Sequence, residues 1–249
     1  MNHDHAPLDA ALVALARRAA TASGDLLRQN FGQAELLSQQ GRDIKLGEDH
    51  RAQQLIVETI RSGSDLPILT EEAGWIGEPP PGEGLYWVVD PLDGSFNYRT
   101  GTPLCGTAVA LCAGLTPLAG CIHDFLRDAL YWGGPGIGLY CNDDPLGDLP
   151  QPHGILATGF PVGGDFSDQG IAAIVRQISD YKKVRMIGSA ALSLAWVASG
   201  RFDAYAESGI RWWDVAAGLA LVAATGGRVA IAGESPDGTF EIFASRHPE

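Results

Sequence analysis

The chain has 249 residues, 17 of them Lys or Arg against 30 Asp or Glu, for a formal net charge of −13. So few cations argue against nucleic-acid binding as its main business, because neutralising phosphates takes clustered Lys and Arg, and they equally disfavour a basic membrane-surface protein. With 45% hydrophobic and 19% charged residues the composition is that of a packed globule, long enough for one large domain or two lobes.

Residues 1–7 carry His3, Asp4 and His5 and no cationic stretch running into an apolar core, so no secretory signal is expected. Apolar runs such as residues 215–224 are too short to span a bilayer, and a cytoplasmic protein is expected. Over residues 8–31, Leu8, Leu12, Leu15, Ala19, Ala22 and Leu26 recur at helical spacing, with Pro7 where a first-turn proline is tolerated. Residues 38–47 are polar, contain two glycines and show no period, which predicts a mobile loop or a hairpin. A second helix is predicted over residues 49–61, with Ala52, Leu55, Ile56 and Ile60 on one face.

The middle of the chain reads as strand. Residues 67–69 form a short one, residues 78–84 with three prolines a loop, and residues 85–89 an aromatic, β-branched strand ending at Asp90. Residues 106–112, 118–123 and 129–132 follow at hairpin distances as an antiparallel meander. The glycine run 133–138 lacks the lysine and register of a nucleotide loop and is expected to be a turn. Later the pattern alternates: strands over residues 155–158, 184–187 and 204–206, helices over 168–179, 189–199 and 213–225. That predicts an N-terminal α+β lobe (about residues 1–145) followed by an α/β lobe (about 146–249) within one domain spanning residues 1–249. Cys105, Cys112, Cys121 and Cys141 form no C-x-x-C pair and are expected to be reduced core residues.

The acids carry the chemical information. Asp90-Pro91-Leu92-Asp93-Gly94-Ser95 begins where a strand ends, so one turn can aim two carboxylates at one point. Gly94 permits close backbone approach, and Ser95 can cap a following helix and present its amides to an anion. Glu71 and Glu72 also follow a strand, and Asp214 begins an apolar helix after Trp212 and Trp213. A single carboxylate in such a place is more often a helix cap opposing the dipole. Two acids with Pro and Gly in six residues exceed what a cap requires. Carboxylates and carbonyls are the ligand set of hard divalent cations, and two such ions can clamp a phosphoryl group.

These motifs together, with Thr-Glu-Glu at 70–72 upstream and Trp-Asp-Val-Ala-Ala-Gly at 213–218 downstream, resemble the inositol monophosphatase family of Mg²⁺-dependent, lithium-sensitive phosphatases. The resemblance continues through residues 188–192 and 203–207 and covers about residues 8–229. It implies a layered αβαβα sandwich, a homodimer, and two or three Mg²⁺ ions, with Mn²⁺ as a possible substitute. By motif position, Glu71 and Asp90 would bind the first ion beside the carbonyl of Leu92. Asp90 would bridge to a second ion held by Asp93 and Asp214. The amides of Gly94 and Ser95 would hold phosphate oxygens, and the Ser95 hydroxyl, where many members carry Thr, would orient the attacking water with Glu71. Asp49 would assist this water or a weak third ion. Glu207 matches a position that contacts hydroxyls of the leaving alcohol, and Ser189 falls on the substrate side. One departure stands out: the family commonly shows Asp-x-Val-Thr-x-x-Asp before the second helix, and here Leu46 replaces the threonine.

The implied reaction is hydrolysis of a small phosphorylated polyol or sugar, inositol monophosphate first, by direct attack of an activated water. Asp-Gly-Ser-Phe-Asn at 93–97 also resembles dual inositol monophosphatase and fructose-1,6-bisphosphatase members, and related enzymes cleave histidinol phosphate. Phe96-Asn97-Tyr98 after Ser95 weighs against the members that cleave adenosine 3′,5′-bisphosphate. From another class, a non-catalytic cation-dependent binding protein stays open. The six histidines show no zinc spacing, Ser189 has no nearby His to make it a nucleophile, and Trp212 and Trp213 are expected to pack. Arg185 and Arg211 could reach substrate, but solvated arginines are the commoner outcome.

Overall fold

The computed structural model describes residues 8–33, 36–40, 43–147, 150–160, 167–235 and 238–247, with the backbone alone at residues 39, 40, 43, 44 and 177. The first periodic segment forms α1 (Ala10–Gln29), whose N-cap Asp9 accepts a hydrogen bond from the Ala11 amide at 2.9 Å. Pro7 lies outside the described residues. Within residues 38–47 the described part is a hairpin, β1 (Leu36–Gln40) paired antiparallel with β2 (Asp43–Leu46). The second helix, α2 (Gly47–Arg61), starts two residues before the expected point, so Asp49 falls in its first turn. Its apolar stripe buries Ala52, Ile56 and Ile60 against α1.

An eight-stranded sheet follows: β3 (Ile68–Thr70), β4 (Gly74–Ile76), β5 (Leu85–Asp93), β6 (Gly106–Ala113), β7 (Thr116–Asp124), β8 (Ala129–Gly134), β9 (Gly138–Cys141) and β10 (Asp144–Pro145). Its order is β10-β9-β8-β7-β6-β5-β3-β4, antiparallel except where β3 runs parallel to β5. The expected meander is β6 to β8, and the glycine run turns the chain from β8 into β9. Alternation along β5 explains the two cores: Trp87 and Val89 face α1 and α2, while Tyr86 and Val88 face the opposite way. Between β5 and β6 lies the short α3 (Ser95–Thr100).

The second sheet contains β11 (Ile155–Ala157), β12 (Lys183–Arg185), β13 (Ala204–Arg211), β14 (Arg228–Ala232) and β15 (Thr239–Ser245), in the order β12-β11-β13-β15-β14. Its helices are α4 (Asp168–Ser179), α5 (Ala190–Ala198) and α6 (Trp212–Ala224). Three expectations need correction. β5 passes Asp90 and regains its ladder at Asp93 opposite Gly106, β13 extends from Ala206 to Arg211, and the hairpin β14–β15 was not anticipated.

Helices α5 and α6 are apolar on almost every side because they lie between the sheets, touching β6 and β7 on one face and β13 and β15 on the other. They cross closely at Gly218, where a Cβ would stand 2.3 Å from the Cβ of Leu194. Ile178 at the end of α4, with Tyr181 just beyond it, covers Leu156, Ala204 and Ala206 on the outer face of the second sheet. The layers are therefore helices, sheet, helices, sheet, helix: the αβαβα sandwich. No described helix is long and apolar enough to cross a membrane.

Candidate active site

Parallel pairing of β3 with β5, Thr70 opposite Val89, delivers Glu71 and Asp90 side by side at adjacent strand ends. The two carboxyl groups act on each other's ionisation. Beyond Asp90 the chain turns, and Asp90 Oδ1 accepts from the Leu92 amide at 3.0 Å. Gly94 takes φ of +82°, and a Cβ there would meet the Leu104 carbonyl oxygen at 2.8 Å, so the turn requires glycine. The Ser95 hydroxyl donates to the Leu92 carbonyl at 2.9 Å.

Asp93 points at the start of α5, accepting from the amides of Ala191 at 2.9 Å and Ala190 at 3.3 Å and from the Ser189 hydroxyl. Ser189 is the N-cap of α5 and also accepts from the Leu192 amide, so its hydroxyl is committed to Asp93 and the helix. Asp214, in the first turn of α6, accepts from the Arg211 amide at 3.2 Å. Asp49 does the same in α2, accepting from the Leu46 amide at 2.7 Å through Oδ2, while its buried Oδ1 has no hydrogen-bond partner.

These acids influence one another strongly. Burial, then the charges of Glu71, Asp93, Asp214 and Asp49, push the Asp90 carboxyl well above the usual range, and burial with Glu71 and Asp93 does the same to Asp214. Burial raises Asp93 to about 6 against its three hydrogen bonds, and raises Asp49 to about 7. Glu71 is raised by burial although Lys45 opposes the shift. Glu207 lies across a cleft of about 220 Å³ bounded by Asp93, Phe160, Ser189, Tyr205 and Asp214. Its Oε2 accepts from the Tyr205 hydroxyl at 2.8 Å, and burial raises it to about 7.

A cluster of carboxylates raised by burial and mutual repulsion gains most from a divalent cation, and its oxygen donors suit Mg²⁺ or Mn²⁺. The orphaned Oδ1 of Asp49 fits that need. Among the described residues, no three acidic, His or Cys side chains already stand at chelating separation, so the acids ring the site instead of forming a closed cage.

All the sequence-predicted acids thus gather in one region, with Gly94 and Ser95 on the adjoining turn. Three residues escaped the sequence. Lys45 Nζ pairs with Glu71 at 3.0 Å and Glu72 at 2.6 Å; its visible signal was a lone cation within Asp43-Ile-Lys-Leu-Gly-Glu-Asp49. Tyr205 holds Glu207, a strand neighbour two residues away on the same face. Asn97 Nδ2 donates to the carbonyls of Leu104 at 2.8 Å and Ile187 at 2.7 Å, tying α3 to the segment that leads into α5. Trp212 is buried and donates to the Tyr86 hydroxyl, Arg211 stacks over Trp213, and Arg185 is exposed. The four cysteines are free thiols, three of them buried.

Comparison with known proteins gives the same direction. Residues 6–243 match the inositol monophosphatase family. The fructose-1,6-bisphosphatase/inositol-1-monophosphatase of Aquifex aeolicus is 32% identical, over 92% of this chain and 89% of its own. The Nus factor SuhB of Xylella fastidiosa is 36% identical, over 85% and 78%. The solved inositol monophosphatase of Anabaena superposes with a TM-score of 0.79 at 30% identity, over 96% of this chain and 91% of its own. The chain belongs to the inositol monophosphatase family.

Proposed function

We propose that this family member is a Mg²⁺-dependent phosphatase that hydrolyses a small phosphorylated polyol or sugar, with inositol monophosphate as the first candidate. The observation that carries the reading is the convergence of Asp49, Glu71, Asp90, Asp93 and Asp214 beside a polar cleft. Glu71 and Asp90, with the Leu92 carbonyl, would hold one cation; Asp90, Asp93 and Asp214 would hold a second. Bound there, Mg²⁺ or Mn²⁺ supplies polarisation of a phosphoryl oxygen and acidification of water.

The chain's own residues do the rest. Glu71 and the Ser95 hydroxyl orient the attacking water, and Asp49, held by the Leu46 amide, stands ready to take its proton. The amides of Gly94 and Ser95 hold phosphate oxygens. Glu207, fixed by Tyr205, accepts a hydrogen bond from a hydroxyl of the leaving alcohol, which suits a polyol or sugar. Ser189, whose hydroxyl donates to Asp93, bounds the same cleft on the substrate side. A sugar bisphosphate is the second reading, supported by the dual name of the Aquifex relative and by Asp-Gly-Ser-Phe-Asn at 93–97.

Phosphate release tests the proposal, measured on inositol 1-phosphate, fructose 1,6-bisphosphate, histidinol phosphate and glycerol phosphate, each with Mg²⁺ and with EDTA. Metal-dependent turnover of one ester far above the others is expected. Asp93→Asn should lower it by about 10²–10³-fold with the fold retained. Full activity of that variant would sink the two-cation assignment.

A further inference from the structure

We propose that Lys45 is a resident cation of the carboxylate cluster, whose ammonium, bound to Glu71 and Glu72, competes with the divalent ion that Glu71 would hold with Asp90 and so weakens divalent-ion binding there. This rests on the reading of the cluster as a divalent-cation site. Lys45 Nζ stands 3.0 Å from Glu71 Oε1 and 2.6 Å from Glu72 Oε1. The contact is sheltered: the side chains of Lys45, Glu71 and Glu72 are 27%, 23% and 4% exposed, so solvent screens it less than a surface pair. Both ion pairs reach the cluster.

The placement follows from the chain. Lys45 is the penultimate residue of β2, four residues before Asp49, so the hairpin and the start of α2 bring a cation and an acid to the same site. An ammonium offers three donors and no acceptor, and here two are directed at carboxylates. Glu71 Oε1 cannot give its charge fully to a divalent ion while it holds Nζ, and a divalent ion that Glu71 shares with Asp90 would have a like charge on the same carboxylate.

A different role would have the opposite sign. If Lys45 only positioned Glu71 as a ligand, removing it would free that side chain and weaken cation binding. Direct titration of the full chain with Mn²⁺ by calorimetry separates the two. Lys45→Met, which keeps length and removes charge, is expected to bind Mn²⁺ roughly fivefold or more tightly than the unaltered protein, or to bind one additional ion. Lys45→Arg should keep the original affinity. Equal or weaker binding by Lys45→Met overturns the proposal. Should Lys45→Met fail to fold by circular dichroism, Lys45→Gln, neutral and still able to donate to a glutamate, carries the same comparison. An unaltered protein that takes up no Mn²⁺ would instead overturn the reading of the site, and the proposal with it.

Discussion

The four aspartates of the cluster each commit at least one oxygen to the backbone: Asp90 to the Leu92 amide, Asp49 to Leu46, Asp214 to Arg211, and Asp93 to Ala190 and Ala191, while Glu71 is held by the Lys45 side chain. The side chains are thereby fixed before any cation arrives, which is the preorganisation a binding site needs. Ser189 completes it for Asp93, so Ser189→Ala should lower divalent-ion affinity by about 10–100-fold while the protein remains folded; Mn²⁺ titration with circular dichroism would check both. An unchanged affinity would show that the amides alone hold Asp93. Gly94→Ala would force a Cβ into a left-handed turn 2.8 Å from a carbonyl oxygen. It should destabilise the protein by about 1–3 kcal/mol, visible as a lower urea midpoint. A midpoint equal to that of the parent would contradict the observed turn.

Three helices begin at the site: α2 and α6 carry Asp49 and Asp214 in their first turns, and the N-terminus of α5 receives the Asp93 carboxylate from β5. Helix N-termini favour anionic groups, so the same dipoles that hold these carboxylates help the fold tolerate their concentration. Two of the helices are close-packed against each other. Gly218→Ala would place a methyl 2.3 Å from Leu194 Cβ and should cost about 1–3 kcal/mol by forcing α5 and α6 apart, measurable by chemical denaturation. No loss of stability would mean that the helices can slide without penalty. Periodicity and apolar runs were enough to locate α1, α2, α5 and α6, since a long repeat outvotes local noise. The hairpin β14–β15 was missed although Phe240, Ile242 and Ala244 alternate inward, because its strands follow an apolar helix and are separated by a polar stretch. β4 and β10, three and two residues long, are too short to show a period at all.

At the scale of the whole molecule, the cluster makes stability depend on pH and on cations. Asp93 at about 6, and Asp49 and Glu207 at about 7, are raised above their unfolded values near about 4. A raised carboxyl folds best protonated, so its contribution is whole below about pH 4 and is lost as pH climbs through 6 to 7. Asp203 works the other way. Burial would raise it, but the amides of Ile155 and His153 and the charge of Arg246 outweigh burial and hold it low, so its contribution is lost on strong acidification. The metal-free protein should therefore melt at a higher temperature at pH 5 than at pH 8. Mg²⁺ added at pH 8 should recover the difference, since it binds the ionised, folded cluster. Thermal scans in EDTA and in Mg²⁺ check this; a flat metal-free profile would show that the carboxylates do not repel as their burial implies.

By itself the sequence determined the acids, the strand ends and helix starts that carry them, and the family, because ligand chemistry and short motifs are local and survive in linear order. Most of the layer content was equally legible, since the burial of a helix or strand is written in its own period. Only the tertiary structure decided what meets what: that parallel β3 and β5 set Glu71 against Asp90, that the Ser189 hydroxyl is committed to Asp93, and that Lys45 enters the cluster from a hairpin. Those pairings join residues 19 to 96 positions apart, and at such separations contact is set by sheet order and helix packing, which no local pattern encodes.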